Sequence, residues 1–254
     1  MMAEESAGQG LSESPSTGDG FPRLRRRKSE FLLALLALGA AFVSGCQSET
    51  PVNKSDAKES PATRAANSGP IRIVTTIAMV SDIVREVAGD HAEVVGLMGE
   101  GVDPHLYKPT RDDVQKLMDA DVVFYSGLML EGRMADTFAR IGRSGKPVFA
   151  VTEEIPESFL REPEEFAGHW DPHVWMDPNA WSQCVLFVAK SLASYDPAHA
   201  EEYLARSEAY QKKLKDLDAF VRKSIESIPE SQRVLVTAHD AFGYFSRAYG
   251  IEVR

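Results

Sequence analysis

Residues 71–89 read IRIVTTIAMVSDIVREVAG. The first five are mostly β-branched and predict a strand. Apolar residues then fall at 77, 80, 83, 84 and 87, the spacing of one helical face, and Gly89 supplies a stop. A strand running straight into a helix is the opening of a βαβ unit, and the pattern repeats downstream. Residues 92–98 predict a second strand. Thr110-Arg111-Asp112-Asp113 has the form of a capping box, with Asp for the usual Glu, starting a helix through Met118. Residues 122–125 predict a third strand, 134–141 a helix and 147–151 a fourth strand. Strand and helix alternating at this interval argue for a parallel sheet with helices on both faces.

An acidic loop, residues 152–170, follows. Asp177-Pro178 then opens a helix to about Tyr195, with Asp as N-cap and Pro in the first turn. Asp196-Pro197 repeats that signal before a long helix over residues 198–228. Its apolar positions 203, 210, 214, 217, 221, 225 and 228 form a single stripe, as expected of a spine crossing the molecule. Pro229 ends it. Residues 234–237 predict a strand and 241–249 a helix ending at Gly250. A lone strand and helix bury their apolar faces poorly, so a second lobe is expected to be incomplete in this chain.

Upstream of the alternating region the character changes. Residues 1–22 are polar and aperiodic. Arg23, Arg25, Arg26, Arg27 and Lys28 precede an apolar run over residues 31–43, too short to span a bilayer as a helix. A basic flank, a short apolar stretch and small residues form a secretory signal. It ends Val43-Ser44-Gly45-Cys46, which resembles the bacterial lipobox, whose Cys is acylated and begins the mature protein. Residues 47–69 are rich in Ser, Ala, Pro and Lys and predict a solvated tether.

The chain has 254 residues, 28 Lys+Arg against 38 Asp+Glu, and a net charge of −10. Nothing supplies the cationic footprint of a nucleic-acid binder. A hydrophobic content of 43% excludes disorder of the whole chain. The two cysteines are Cys46 and Cys184. With Cys46 acylated, no disulfide framework is available.

The histidines are His91, His105, His169, His173, His199 and His239. His105 follows the second strand, His173 precedes a helix, and His239 lies just past a strand end. In open parallel sheets ligands bind beyond the carboxyl ends of strands, so these three are candidates to converge. Neutral imidazoles meeting there suit Zn²⁺ and neighbouring divalent ions. No tight zinc signature is present, and spacing alone does not establish a metal site. His91 and His199 are expected to face solvent. His169 lies near the proposed site and is read as an ordinary loop residue, and the glutamates of that loop as a solvated surface.

Three motifs carry a family resemblance: VDPHLYKPT at 102–110, DPHVWMDP at 171–178 and VLVTAHDAFGYFSRAYG at 234–250. Together they resemble the metal-binding solute-binding proteins of bacterial ABC importers, the cluster A-I, TroA-like group for zinc and manganese. The likeness runs from Ile71 to the last residue. It implies an α/β fold of two parallel-sheet (βα) lobes joined by one rigid helix, with the metal in the cleft. On that plan residues 1–45 are the lipoprotein signal, 46–69 the tether, 70–196 the N-terminal lobe, 197–230 the linking helix and 231–254 the start of a truncated C-terminal lobe.

The resemblance implies His105, His173 and His239 as the first three metal ligands, with Zn²⁺ or Mn²⁺ as cargo. A third imidazole suits zinc, whereas a carboxylate there suits manganese. Dedicated zinc members carry a long His-rich loop before the second ligand, and here that segment holds only His169. The family's fourth ligand, a carboxylate, is expected beyond residue 254, and Glu252 does not replace it. Without that ligand, weak binding and a marginal second lobe are expected. The implied protein is exported, held to a membrane by lipid at Cys46, monomeric, and partnered by an ABC permease. It is not an enzyme. Two alternatives are a surface adhesin, as reported for some relatives, and a zinc hydrolase with Asp177 or Asp240 as base.

Overall fold

The computed structural model describes residues 69–164 and 167–254. The signal segment, Cys46 and all but the last residue of the tether lie outside the described residues.

Strand β1 (Ile71–Thr75) runs beside β2 (Ala92–Gly96) on one side and β3 (Val122–Tyr125) on the other, with β4 (Val148–Ala150) beyond β3. All pairings are parallel, with Ile73 opposite both Val94 and Val122, and Val123 opposite Val148. The ladder extends past the formal strand ends. Leu97 and Met98 donate to the Thr75 and Thr76 carbonyls at 2.9 Å, and Val151 donates to Tyr125 at 2.8 Å. The predicted limit at 98 therefore holds as a hydrogen-bonding limit, while pairing beside β3 runs one residue past 151, Thr152 donating to the Ser126 carbonyl at 3.3 Å. The central strands are buried on both faces: Ile71, Val122, Val123 and Phe124 are 0% exposed. This explains their continuous apolar runs.

The helices α1 (Ala78–Ala88), α2 (Arg111–Asp119) and α3 (Ala135–Arg143) connect these strands. The connection from β1 to β2 runs one way across the sheet and those from β2 onward run the other. Right-handed crossovers then put α1 on one face and α2 and α3 on the other, and α2 packs against α3. At α2 the capping box forms as predicted, Thr110 and Asp113 each accepting the other's backbone N–H. Helix α4 (Pro178–Tyr195) begins at Asp177, whose carboxylate accepts from the Asn179 and Ala180 amides. It packs against α1, and its apolar face, including Cys184, is fully buried.

Helix α5 (Ala200–Glu226) is the long helix, preceded by a 3₁₀ turn at Pro197–His199. Its predicted apolar stripe is only partly used. Tyr203 and Leu214 are buried, but Leu217 is 46% exposed and Val221, Ile225 and Ile228 are only half-buried. The reason is the length of its neighbours. Its first half lies against α1 and α4, where Gln211 donates to Ser182, Tyr210 to Asp82 and Lys213 to Glu86. Further along, Arg222 donates to the Ala248 carbonyl at 3.0 Å and lies over the Tyr249 ring.

Ala248 and Tyr249 belong to α6 (Gly243–Tyr249), which follows β5 (Val234–Leu235). Here the structure corrects the expectation of a lone strand and helix. Residues Glu252–Val253 form β6, parallel to β5 with Val234 opposite Glu252. Thr237 donates to the Arg254 carbonyl at 3.1 Å, so the pairing reaches the predicted strand end. A two-residue strand carries no periodicity, which is why pattern reading passed over it.

Candidate metal centre

Every loop that builds the site leaves the carboxyl edge of a parallel strand. His105 sits in the connection from β2 to α2. That connection is held by Asp103, which accepts the His105 amide at 2.9 Å, and by Asp113, which accepts the Tyr107 hydroxyl at 2.7 Å. His173 ends the connection after β4, immediately before a 3₁₀ turn at Val174–Met176. His239 lies in the connection from β5 to α6, where its carbonyl accepts from the Thr237 hydroxyl and the Ala241 amide.

Three chain segments thus bring three imidazoles to one point. The Nε2 atom of His173 lies 3.2 Å from that of His105 and 3.2 Å from that of His239. Zinc–imidazole bonds of about 2.0–2.1 Å at tetrahedral angles separate the ligand nitrogens by about 3.3 Å. The observed edges match that figure. One lone pair on His173 Nε2 cannot accept well from two neighbours, whereas three lone pairs aimed at one cation satisfy all three rings. Within this cluster the mutually close His, Cys, Asp and Glu donors among the described residues are these three.

The surroundings orient the His173 ring. Asp171 Oδ1 takes a hydrogen bond from His173 Nδ1 at 2.8 Å and from the His173 amide at 3.0 Å. That assigns the ring proton to Nδ1 and leaves Nε2 as a donor for metal. Arg161 binds the other Asp171 oxygen at 2.9 Å. Burial pushes the Asp171 carboxyl up, but the bonds from His173 and Arg161 outweigh it and hold it below the usual range. Burial, with His173 close by, lowers the His105 pKa. The helix α6 fixes the relation of two of the segments. The Tyr244 hydroxyl donates to the Asp171 carbonyl at 2.8 Å and accepts from the Arg161 amide.

His169 lies exposed on the wall of the same cleft, beside Trp170, Leu128 and Met129. Asp240 lines it as well. Asp177 is committed to capping α4. Glu252 binds Arg254 at 2.8 Å and is not among the clustered donors. The expectation that His91 and His199 merely face solvent needs correction: both are half-buried, with rings stacked 4.0 Å apart. Sequence reading passed over Asp171 and Tyr244. Asp171 had a signal, standing two residues before a candidate ligand, while Tyr244 is joined to the site only by tertiary contact.

A family profile for zinc-uptake complex component A, periplasmic, matches residues 73–254. The chain belongs to this family. Among its zinc-uptake-type relatives, the zinc-binding protein TroA of Treponema pallidum (strain Nichols) is 48% identical over 190 residues, which cover 75% of this chain and 61% of that protein. The manganese-binding lipoprotein MntA of Bacillus subtilis (strain 168) is 37% identical over 223 residues, covering 88% of this chain and 68% of that one. The solved structure of the periplasmic zinc-binding protein TroA from Treponema pallidum superposes with a TM-score of 0.70, covering 73% of this chain and 66% of that one. The chain therefore spans less than two thirds of the TroA relative's length. The zinc-uptake family assignment agrees with the parallel-sheet α/β fold, and the resemblance seen in the three sequence motifs holds.

Proposed function

We propose that this protein captures a divalent metal ion, zinc or manganese, outside the cytoplasmic membrane and delivers it to an ABC importer. The observation that carries this reading is the convergence of His105, His173 and His239, with Nε2 atoms 3.2 Å apart along two edges. Relatives named for zinc and for manganese binding support the same cargo. Three imidazoles favour zinc over manganese, which prefers oxygen donors. The ion is cargo rather than a reagent. Of the two carboxylates weighed as a base, Asp177 is occupied as a helix cap.

In this reading residues 70–196 form the metal-receiving lobe, 197–230 the linking helix and 231–254 the start of the opposing lobe. His239 is supplied from that opposing side. Closure of one side on the other then completes the ligand set. The interaction of α5 with both α4 and α6 limits the amplitude of that closure. Lipid at Cys46 keeps the carrier beside its permease, as the lipoprotein name of the MntA relative supports. A monomer is sufficient, since all three donors come from one chain.

Calorimetric titration of the full chain with Zn²⁺ and with Mn²⁺, in wild type and in His173→Ala, tests the reading. Each ion should occupy the site, exclude the other, and lose one equivalent in the variant. An undiminished number of bound ions in His173→Ala overturns it.

A further inference from the structure

We propose a second metal site, formed by His91, His199 and Glu202, which takes a borderline divalent transition ion such as Zn²⁺ and pins the start of α5 to the sheet layer. The donor atoms of these three residues all lie within 4.8 Å of one another. His91 Nε2 is 2.8 Å from Glu202 Oε2, and the His91 and His199 rings stack at 4.0 Å with 27° between their planes.

The cluster is separate from the three-histidine centre. His91 ends the 3₁₀ turn Gly89–His91 and enters β2 at its amino end, whereas His105 follows the carboxyl end of the same strand. Five strand residues span about 16 Å, so no ion could be shared.

The feature that raises this cluster above a chance contact is the treatment of His199. Its Nδ1 lies 2.8 Å from Asp196 Oδ2, and Asp196 is only 5% exposed. That same oxygen accepts the hydroxyl of Tyr203, which is fully buried. A carboxylate anchored in this way assigns the ring proton to Nδ1 and presents Nε2 as a lone pair. It is the same carboxylate–histidine pairing that Asp171 makes with His173, and it is the usual support for a metal-bound imidazole. The Tyr203 ring stands edge-on to His91 at 5.7 Å and to His199 at 6.3 Å, which fixes the pair from below.

Two imidazoles and a carboxylate suit zinc, copper(II) or nickel and give little to calcium or magnesium. Three protein donors leave a position for water. The entry is open, because the Glu202 side chain is 55% exposed. The guanidinium of Arg206, one turn further along α5, packs over Gly89 and brings opposing positive charge. Binding is therefore expected to be weaker than at the three-histidine centre. An ion here would tie the turn before β2 to the first turn of α5, two segments far apart in sequence.

Counting bound zinc per chain at saturation, by atomic emission at equilibrium dialysis, tests the proposal. Wild type should hold two ions, His173→Ala one, the pair His91→Gln with Glu202→Gln one, and the triple variant none. In the His173→Ala background zinc should raise the melting temperature, and in the triple variant it should not. Glu202 is exposed and both glutamine replacements are conservative, so the second-site variant keeps its fold. If His91→Gln/Glu202→Gln holds as many ions as wild type, or His173→Ala holds none, the second site is refuted. Failure of the three-histidine reading looks different: His173→Ala would then match wild type while the His91/Glu202 variant lost its ion.

Discussion

The carboxylate of Asp171 and the imidazole of His173 share a 2.8 Å hydrogen bond, and both residues are 5% exposed. This pair decides which nitrogen of His173 faces the cleft. Replacing Asp171 with Asn keeps the shape but removes the charge that favours an Nδ1-protonated ring. Outer partners of this kind are worth about 10- to 100-fold in metal affinity. Asp171→Asn should weaken Zn²⁺ binding by that order while His105→Ala removes a ligand outright, and competition against a chromophoric chelator measures both.

Tyr244 joins α6 to the segment carrying His173. Its hydroxyl serves the Asp171 carbonyl and the Arg161 amide together. Tyr244→Phe leaves the buried Asp171 carbonyl and the half-buried Arg161 amide short of a partner, at a cost of about 1–3 kcal/mol. Denaturant unfolding should show that loss. Metal affinity should fall as well, because His239 enters from the same β5–α6 connection; unchanged affinity would mean that the connection holds its place without the tyrosine.

Gly127 stands at φ +92°, and a Cβ there would run into the Thr152 hydroxyl and meet the Ala150 Cβ at 2.9 Å. It opens the loop that places Leu128 and Met129 on the cleft wall. The loop is tied back by buried Glu131, whose carboxylate accepts the Ser126 amide at 2.8 Å and the Thr76 hydroxyl at 2.5 Å. Gly127→Ala should destabilise the fold by about 1–3 kcal/mol through backbone strain alone, with the clash adding to it. A thermal melt within error of wild type would contradict that geometry.

Asp113 links pH to stability. Burial pushes its carboxyl up, but bonds from Thr110 and Tyr107, together with Lys116, hold it below the ordinary 3.8. Burial, with the same Asp113 contact, pushes the Tyr107 phenol up to about 12. A carboxyl whose folded pKa lies below its unfolded one stabilises the fold fully above the unfolded value. That stability is lost as pH falls through the folded value. Asp113→Asn should therefore be less stable than wild type at pH 6, and the gap should close as pH falls below about 4. A gap constant from pH 6 to 3 would remove the carboxylate from the account.

The lipid anchor proposed at Cys46 is tested by fractionation. Cys46→Ala should move the chain from the membrane pellet to the soluble fraction. Retention in the pellet would separate membrane association from that cysteine.

The four-stranded sheet was legible because its strands alternate with helices, several of which carry a start or stop signal, such as Gly89, Thr110 or Asp177. Those signals are local: a cap or a stop is decided by residues three or four positions apart. The incomplete burial of the α5 stripe from Leu217 onward was not legible, since periodicity records which residues could be buried and not how far the neighbouring helices extend. The strand β6 escaped for want of length.

At the site, the sequence alone supplied the candidate donors. His105, His173 and His239 each stand where a strand or helix boundary leaves a side chain free of the regular lattice, and the family motifs single out the same residues. Tertiary structure alone decided that the three rings meet, because the contacts that join them cross 66 and 68 residues of chain. It also decided that His91 and His199 stack beside Glu202 rather than pointing into water. Convergence of this kind depends on strand order, crossover hand and the packing of α6 against the loop before α4, and none of these is written in the spacing of residues along the chain.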